Sequence, residues 1–290
     1  MRVKIGVLLL TVVFALSPAW VAQADGDPVG TAAMMDIGMG ARALGMGGAF
    51  IAVADDACAV YYNPAGLALL EGRHVASLYT NQYGAAGYMA LGYAQRNVGA
   101  GVLMLDATGV EETDEFANVT GFFGIREYTA TGAYGATVWP NLSLGGAVKH
   151  YSQSLPGNAG TGLTGDIGLL YVAPGVRVGA VARNVLGSVK YASGETDAFD
   201  RSWGVGLAVK PMAGLLLAAD AVAKDELTLR IGAEYLLGNF AVRGGGMWGG
   251  GQTSLTAGLG VVMPGFSVDY AYQTHNVLPD CHRLSLSIRF

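Results

Sequence analysis

Few residue patterns in this chain could support chemistry, and the strongest is a glycine-rich run near the N-terminus. Residues 38–43 read GMGARA and satisfy the GxGxxA fingerprint of dinucleotide-binding sites. That fingerprint holds a pyrophosphate only where it follows a β-strand and opens a long helix within a βαβ unit. The residues on either side of the run have neither pattern, so the glycines indicate close backbone packing instead.

The other reactive side chains are scattered along the chain. Export would permit a disulfide between Cys58 and Cys281, and two unpaired small residues are the open alternative, because pairing needs Cα atoms within roughly 7 Å. The histidines have no metal-ligand spacing and no evident Ser or Cys partner: His74, His150, His275 and His282. The sequence therefore predicts no enzyme, no metal site and no cofactor.

An acidic cluster occupies the long connection between the third and fourth predicted strands. Its members are Glu111, Glu112, Asp114 and Glu115. Such a run is typical of a solvated outer loop. Bridging by a divalent cation or by lipopolysaccharide is the alternative.

The C-terminal element has the clearest pattern, because apolar and polar residues alternate up to a terminal aromatic residue. One face of this strand carries Leu284, Leu286, Ile288 and Phe290. Strands with an apolar outer face and a polar inner face are typical of a β-barrel in a bilayer. We interpret these four residues as the C-terminal signal that the barrel-assembly machinery reads.

Similar alternation recurs upstream and predicts about fourteen strands, each near the ~10 residues of a tilted membrane strand. The predicted strands are 75–83, 87–95, 98–106, 127–139, 142–152, 163–171, 176–185, 202–210, 214–223, 227–236, 240–248, 253–262, 266–274 and 282–290. Tight turns alternate with longer connections at 107–126, 153–162 and 186–201. An even strand count places both ends of the barrel on the periplasmic side.

Composition agrees with lipid-facing strands. The chain is 52% hydrophobic and 13% charged, and it contains 45 glycines. A spanning helix needs roughly 20 consecutive apolar residues, whereas the best candidate beyond the leader, residues 212–223, is shorter and contains Asp220. The predicted fold is therefore an all-β membrane protein, an antiparallel transmembrane β-barrel. A formal net charge of −5 gives no basic surface for nucleic acid.

The parity of each strand orients its charged residues. A charge on the lipid face at mid-bilayer costs about 2–4 kcal/mol, so charged residues should alternate with the lipid-facing ones and point into the lumen. The charges predicted to face the lumen are Lys149, Asp166, Arg177, Lys210, Asp220, Arg230, Glu234, Arg243, Asp269, Arg283 and Arg289.

Residues 1–24 read as a signal peptide. Arg2 and Lys4 precede an apolar core at residues 5–16, and a small-x-small site ends at Ala24. We expect cleavage after Ala24 and an integral location in a bacterial outer membrane.

Residues 25–74 do not alternate, and we predict that they form an N-terminal hatch in the lumen of a barrel at residues 75–290. Asp55 or Asp56 can cap a brief helix, and Asn63 before a proline predicts a second short helix at residues 64–70. Arg42 and the two aspartates could then pair with lumenal charges. A free periplasmic extension is the alternative, although so apolar a segment would be poorly soluble alone.

Two runs in this segment carry a specific resemblance. Residues 40–57 and 61–68 resemble the N-terminal hatch of the PorV/PorQ family, within the FadL-like (OmpP1/FadL/TodX) outer-membrane superfamily. The resemblance implies a fourteen-stranded barrel with the hatch folded into the lumen and an Asn-Pro-Ala motif at its end. The hatch motif maps onto Arg42, Gly45, Gly47, Gly48, Asp55, Asp56, Asn63, Pro64 and Ala65.

The resemblance implies two functions of different classes. One is passage of small hydrophobic molecules such as fatty acids across the outer membrane, gated by the hatch. The alternative is a PorV-like protein-binding role in type IX-like secretion or surface attachment. The implied partners are outer-membrane lipid, the barrel-assembly machinery, and either a hydrophobic small molecule or a secreted protein, with the protein itself a monomer. A charged inner face would require a hydrophobic ligand to use a pocket near the outer loops or a lateral gap.

Overall fold

The structure, a computed structural model, describes residues 31–290. The predicted signal peptide and the first residues of the predicted hatch lie outside the described residues. Within the described range, no helix is long and apolar enough to cross a membrane.

Sixteen strands make up most of residues 31–290. They are β1 (Arg73–Gln82), β2 (Ala86–Gln95), β3 (Val98–Thr113), β4 (Val119–Trp139), β5 (Leu142–Leu155), β6 (Asn158–Ala173), β7 (Val176–Arg183), β8 (Ser188–Tyr191), β9 (Thr196–Ala198), β10 (Ser202–Met212), β11 (Leu215–Ala223), β12 (Leu227–Leu237), β13 (Phe240–Gly249), β14 (Gln252–Met263), β15 (Phe266–Gln273) and β16 (Cys281–Arg289).

Fourteen of these strands form one closed antiparallel ring, which confirms the predicted barrel. The ring consists of β1–β7 and β10–β16, which pair in sequence order with β7 beside β10, and β1 pairs with β16 to close the ring. At this seam Arg73 N donates to Phe290 O (2.8 Å) and Phe290 N donates to Arg73 O (3.0 Å). The tight turns and these bonds between Arg73 and Phe290 lie at the same end of the barrel, which we call the inner end. We call the opposite end the outer end.

The outer connections differ from the predicted loops because strand pairing continues into them. In the predicted connection 107–126, β3 and β4 extend as a hairpin whose outer part pairs only with itself among the described residues. The acidic residues indicated a loop, but charges are also compatible with strands that no lipid covers. The connection at 153–162 narrows to a two-residue turn, and β8 and β9 form a small hairpin on β6.

The side chains alternate between the two faces of the barrel wall. In the first half of β10, Trp203, Val205 and Leu207 are exposed and the residues between them are buried. The same pattern recurs on β11 to β16, so an apolar belt surrounds the barrel. Exposure of so large a continuous apolar surface to water is unfavourable, whereas its contact with lipid hydrocarbon is favourable.

The N-terminal segment, residues 31–72, crosses the interior of the ring in short elements. It contains a 3-10 turn at Ala33–Asp36, helix α1 (Ala41–Gly45), helix α2 (Ala59–Tyr62) and a 3-10 turn at Pro64–Leu69. Helix α1 packs against β13–β16, and the last turn packs against β4, β5 and β6 on the opposite side of the ring. The hydrophobic core is therefore formed between this segment and the inner faces of the strands.

Candidate functional site

Arg42 on α1 is the centre of a charged cluster in the inner half of the lumen. Its Nη1 lies 2.6 Å from Asp55 Oδ1 and 3.2 Å from Asp56 Oδ2. Its Nε and Nη2 donate to the two carboxylate oxygens of Glu234 on β12, both at 2.9 Å. Such a bidentate arrangement is the strong form of an arginine–carboxylate pair, and it joins the N-terminal segment to the barrel wall.

The cluster continues along the wall through two more strands. Glu234 Oε2 also accepts from Arg243 Nε on β13 at 2.7 Å, and Arg243 Nη1 lies 2.8 Å from Asp269 Oδ1 on β15. All three side chains are buried. We call the six residues the inner ion network: Arg42, Asp55, Asp56, Glu234, Arg243 and Asp269.

Backbone groups of the N-terminal segment also bond to inward-facing side chains. Asp220 Oδ2 on β11 accepts from Phe50 N (2.8 Å) and Ile51 N (3.0 Å), so this buried carboxylate acts as an anchor for the chain. On β7, Arg177 Nη1 donates to Val53 O at 2.8 Å. These bonds satisfy backbone groups that helices and strands would otherwise pair.

The charged side chains predicted to face the lumen differ in how deeply they are buried. The buried ones are Lys149, Asp166, Asp220, Glu234, Arg243, Asp269 and Arg283. Arg177 and Arg230 are half-buried beside the N-terminal segment.

Two of the residues predicted to face the lumen, Lys210 and Arg289, are exposed and not buried in the lumen. Lys210 is exposed and lies at a register shift near the inner end of β10. The Arg289 side chain is 60% exposed and pairs with Glu71 at 3.7 Å. Both lie at the ends of strands, where a long cationic side chain reaches water from either face, so parity no longer determines its direction.

The hatch-motif glycines lie where backbone meets backbone. Thr256 Oγ1 on β14 donates to Gly45 O and accepts from Gly47 N, each at 3.0 Å. Gly47 has φ +65°, and a Cβ atom there would lie 2.7 Å from Gly246 O on β13. Gly48 has φ +76° and lies beside the Arg230 guanidinium. At Gly47, any residue other than glycine would collide with the backbone of the barrel wall unless the wall moved.

The Asn-Pro-Ala part of the motif begins the last turn of the segment. Asn63 Oδ1 accepts from Ala65 N at 3.1 Å, which is the N-cap bond expected before Pro64. Asn63 Nδ2 donates to Ile51 O and to Leu169 O on β6, both at 3.0 Å. One buried amide therefore links two parts of the segment to the wall. The element that it starts is a short 3-10 helix at Pro64–Leu69, where a short helix was predicted at residues 64–70.

An outward-opening cavity of about 450 Å³ lies between the N-terminal segment and the outer half of the wall. We call it the outer cavity. Its polar lining includes Arg230, Arg283 and Glu127. Its apolar lining includes Met34, Ile37, Leu44, Leu105 and Met247. A concave, mainly apolar site with a few polar groups is the usual form of a small-molecule site.

Three tyrosines form hydrogen bonds with residues 35–39 of the N-terminal segment, beside this cavity. None of the three was among the predicted site residues. Tyr88 Oη on β2 donates to Gly38 O at 2.9 Å, and Tyr61 Oη donates to Met35 O at 2.6 Å. Tyr62 Oη accepts from Met39 N at 3.3 Å. The parity of β2 could have identified Tyr88, because it is a large residue in a row of small inward-facing ones.

The other residues considered for chemistry are the two cysteines, the glycine-rich run and the acidic cluster. Cys58 and Cys281 are free and buried. Among residues 31–290 there is no group of three or more His, Cys, Asp or Glu residues that could hold a metal ion. In the glycine-rich run, Ala41 N already donates to Ser285 Oγ at 2.7 Å. In the acidic cluster, hydrogen bonds from Asn118 lower the pKa of the Asp114 carboxyl, which caps the β3–β4 turn.

Comparison with known proteins gives a likeness in structure alone. No protein-family model and no curated protein matches the chain. The Pseudomonas putida toluene transporter TodX aligns with a TM-score of 0.62 at 14% identity, over 87% of this chain and 97% of that chain. A Pseudomonas aeruginosa FadL homologue aligns with a TM-score of 0.62 at 13% identity, over 87% of this chain and 98% of that chain.

A deletion mutant of TodX, described as a monoaromatic hydrocarbon channel, gives a TM-score of 0.63 at 14% identity, over 87% of this chain and 99% of that chain. Identities this low relate folds and carry no residue roles from one protein to another. The chain therefore has the barrel fold of FadL/TodX-type outer-membrane channels.

Proposed function

We propose that this protein is an outer-membrane channel for small hydrophobic molecules and that its N-terminal segment is the hatch that closes the lumen. The outer cavity is the observation that carries the proposal. It offers about 450 Å³ next to apolar side chains, at the outward-opening end of a barrel that resembles the toluene transporter TodX in fold. A volume of this order suits a small molecule.

The packing below the cavity supports a channel that is closed in this state. Phe50, Ile51 and Tyr62 fill the lumen and are buried completely. The inner ion network joins the segment to β12, β13 and β15 at the same level. A wide aqueous pore would leave such side chains in water. A ligand that enters from outside would therefore stop at the outer cavity until the segment or the wall moves.

The proposal includes the route by which the protein reaches its membrane. We propose that the signal peptide at residues 1–24 directs export and is removed after Ala24. The assembly machinery would read the outer face of β16 and the residue after it, where Leu284, Leu286, Ile288 and Phe290 are exposed. The protein would function as a monomer in contact with lipid.

Filling the outer cavity should block uptake. Ala86 lines the cavity at the start of β2, so Ala86→Trp places a large side chain in the path of a ligand. We expect cells with this variant to take up labelled toluene or a labelled fatty acid at the rate of cells without the gene. Ala219→Trp, on the exposed face of β11, makes the same change outside the barrel and should leave uptake unchanged.

Equal surface levels of the two variants are the necessary control, measured by immunoblot of outer-membrane fractions. Uptake that is the same with the wild-type gene, with the Ala86→Trp variant and without the gene would refute the channel proposal.

A protein-binding role is the second candidate, and the β3–β4 hairpin favours it. Its outer part projects beyond β2 and β5 and exposes Phe116 (75%) and Phe122 (69%). Exposed aromatic residues are typical of docking surfaces. A pull-down in detergent that recovers a secreted protein with the intact chain, but not after removal of the hairpin tip, would support this role. Equal recovery with both would contradict it.

A further inference from the structure

A second, much smaller cavity lies between the N-terminal segment and strands β3–β5, and we call it the wall cavity. Its volume is about 20 Å³. The segment contributes Met39 and Tyr61 to its lining, and the wall contributes Leu103, Thr129 and Lys149. A buried water molecule needs a cavity of at least roughly 10–15 Å³, so the wall cavity has the size of a site for one water.

Thr129 on β4 brings an unpartnered hydroxyl to this cavity. The residue is 1% exposed, and its Oγ1 has no hydrogen-bond partner among residues 31–290. Burying a hydroxyl in this state is unfavourable, because the group has lost its bonds to water and gained none in return. Buried side-chain polar atoms usually bond either to the protein or to an ordered water molecule.

Lys149 on β5 brings the second polar group. Its Nζ lies 2.7 Å from Asp166 Oδ2 and donates to Asn184 Oδ1 at 3.1 Å. An ammonium group has three N–H donors, so one donor remains after these two contacts. In the β4–β5 ladder Lys149 lies directly opposite Thr131, and Thr129 is the next residue of β4 on the same face. The free donor and the unpartnered hydroxyl therefore belong to adjacent side chains.

We infer that the wall cavity binds one ordered water molecule, which accepts a hydrogen bond from Lys149 Nζ and also bonds to Thr129 Oγ1. Thr131 and Tyr61 line the same cavity, and their hydroxyls offer further partners. Two to four polar partners are what a buried water molecule ordinarily has. The water would add a polar contact between the segment and β4–β5, whereas Asn63, Asp220 and Thr256 join the segment directly to other strands.

The charges at the site favour water over an anion. Asp166 already balances the charge of Lys149, so a halide ion in the wall cavity would be a buried charge without a counter-charge. An empty cavity is the other alternative. Cavities that stay dry are lined by apolar groups alone, whereas this one is lined by an ammonium group and by hydroxyls.

Thr129→Val tests the inference, because it removes the hydroxyl and keeps the shape of the side chain. If the water is bound, the variant removes one of its partners, and we expect the unfolding equilibrium constant to rise about fivefold. The measurement is urea unfolding in detergent. If the cavity is dry, the variant removes an unsatisfied hydroxyl, and the constant should stay the same or fall. Thr161→Val, at an exposed position of β6, is the matched control and should not raise it.

A crystal structure of the wild type gives a second measurement that does not depend on how well the variant folds. We expect electron density within about 3.2 Å of both Thr129 Oγ1 and Lys149 Nζ. No density there, or a Thr129→Val variant at least as stable as the wild type, would overturn the water site. An anomalous peak at this position in a crystal soaked in bromide would overturn it in favour of an anion.

Discussion

At the scale of single residues, Arg42 holds together carboxylates that would otherwise repel one another. Asp55, Asp56 and Glu234 all lie within 3.2 Å of its guanidinium nitrogens. The Arg42 side chain is 24% exposed, so the cluster is only partly shielded from water. Removing the cation would leave Asp56 without a cationic partner among residues 31–290, while Asp55 would keep only Arg177 at 3.8 Å and Glu234 would keep Arg243.

Arg42→Met should therefore destabilise the protein by roughly 2–4 kcal/mol, somewhat below the ~3–5 kcal/mol lost when one partner of a fully buried pair is removed. The measurement is urea unfolding in detergent, followed by tryptophan fluorescence. Arg126→Met is the matched control, because Arg126 pairs with Asp106 on the surface with 68% of its side chain exposed. The control should lose less than ~1 kcal/mol. Equal losses in the two variants would show that the inner ion network is not stabilising.

Residue spacing in the sequence could orient these side chains but could not pair them. Parity directs Glu234 and Arg243 inward because their neighbours on the strand are apolar. Nothing in the spacing indicates that Glu234 lies between Arg42 and Arg243, since those contacts join residues 192 and 9 positions apart. Arg283 is the harder case: its Nε and Nη1 have no hydrogen-bond partner among residues 31–290, and this depends on what the other inward-facing residues contact.

At the scale of elements, the strands were the predictable part of the molecule. Alternation has a period of two in every strand, and one slip in register would place charges in lipid, so the pattern is strong. The confirmed barrel rests on that pattern. The predicted boundaries of the outer hairpins were wrong for a physical reason. Beyond the bilayer no hydrocarbon requires apolar and polar residues to alternate, so β3 and β4 continue through acidic sequence. The short turns of the N-terminal segment have too few residues for any periodic pattern.

The contact between the N-terminal segment and β13 should be intolerant of one added methyl group. In Gly47→Ala the new Cβ would lie 2.7 Å from Gly246 O, in addition to the strain of a positive φ. Gly84→Ala is the matched control, because Gly84 has φ +73° but no atom within 4 Å of its Cβ position. We expect Gly84→Ala to lose about 1 kcal/mol from backbone strain alone and Gly47→Ala to lose clearly more, as measured by urea unfolding. Similar losses would indicate that the segment does not press against the wall.

At the scale of the whole molecule, the barrel and the N-terminal segment contribute different properties. The ring of strands satisfies its own backbone hydrogen bonds, which a membrane demands. The segment supplies the core that fills the lumen, including most of its large buried side chains. We therefore expect closure to ions to depend on the segment and insertion in lipid to depend on the ring.

Deletion of residues 27–72 should leave an assembled barrel that conducts ions. Water would enter the lumen and solvate the charges on β11 to β15 that now contact the segment. The measurement is ion conductance in planar bilayers, with assembly checked by the heat-dependent mobility of the barrel on gels. Removal of the β3–β4 hairpin tip, residues 108–124, is the control and should not raise the conductance. Conductance equal to that of the wild type after the first deletion would refute the assignment of the segment as a plug.

The seam between β1 and β16 has a consequence for how the protein is made. The first strand can pair with the last only after the whole barrel sequence has been synthesised, because the bonds between Arg73 and Phe290 join its two ends. Helix α1 contacts β16 through the hydrogen bond from Ala41 to Ser285, whereas the Asn63 side chain contacts β6 at Leu169. A ring that closed before the segment had entered would leave the segment outside, so we expect the pairing of β1 with β16 and the enclosure of the segment to be coupled late in assembly.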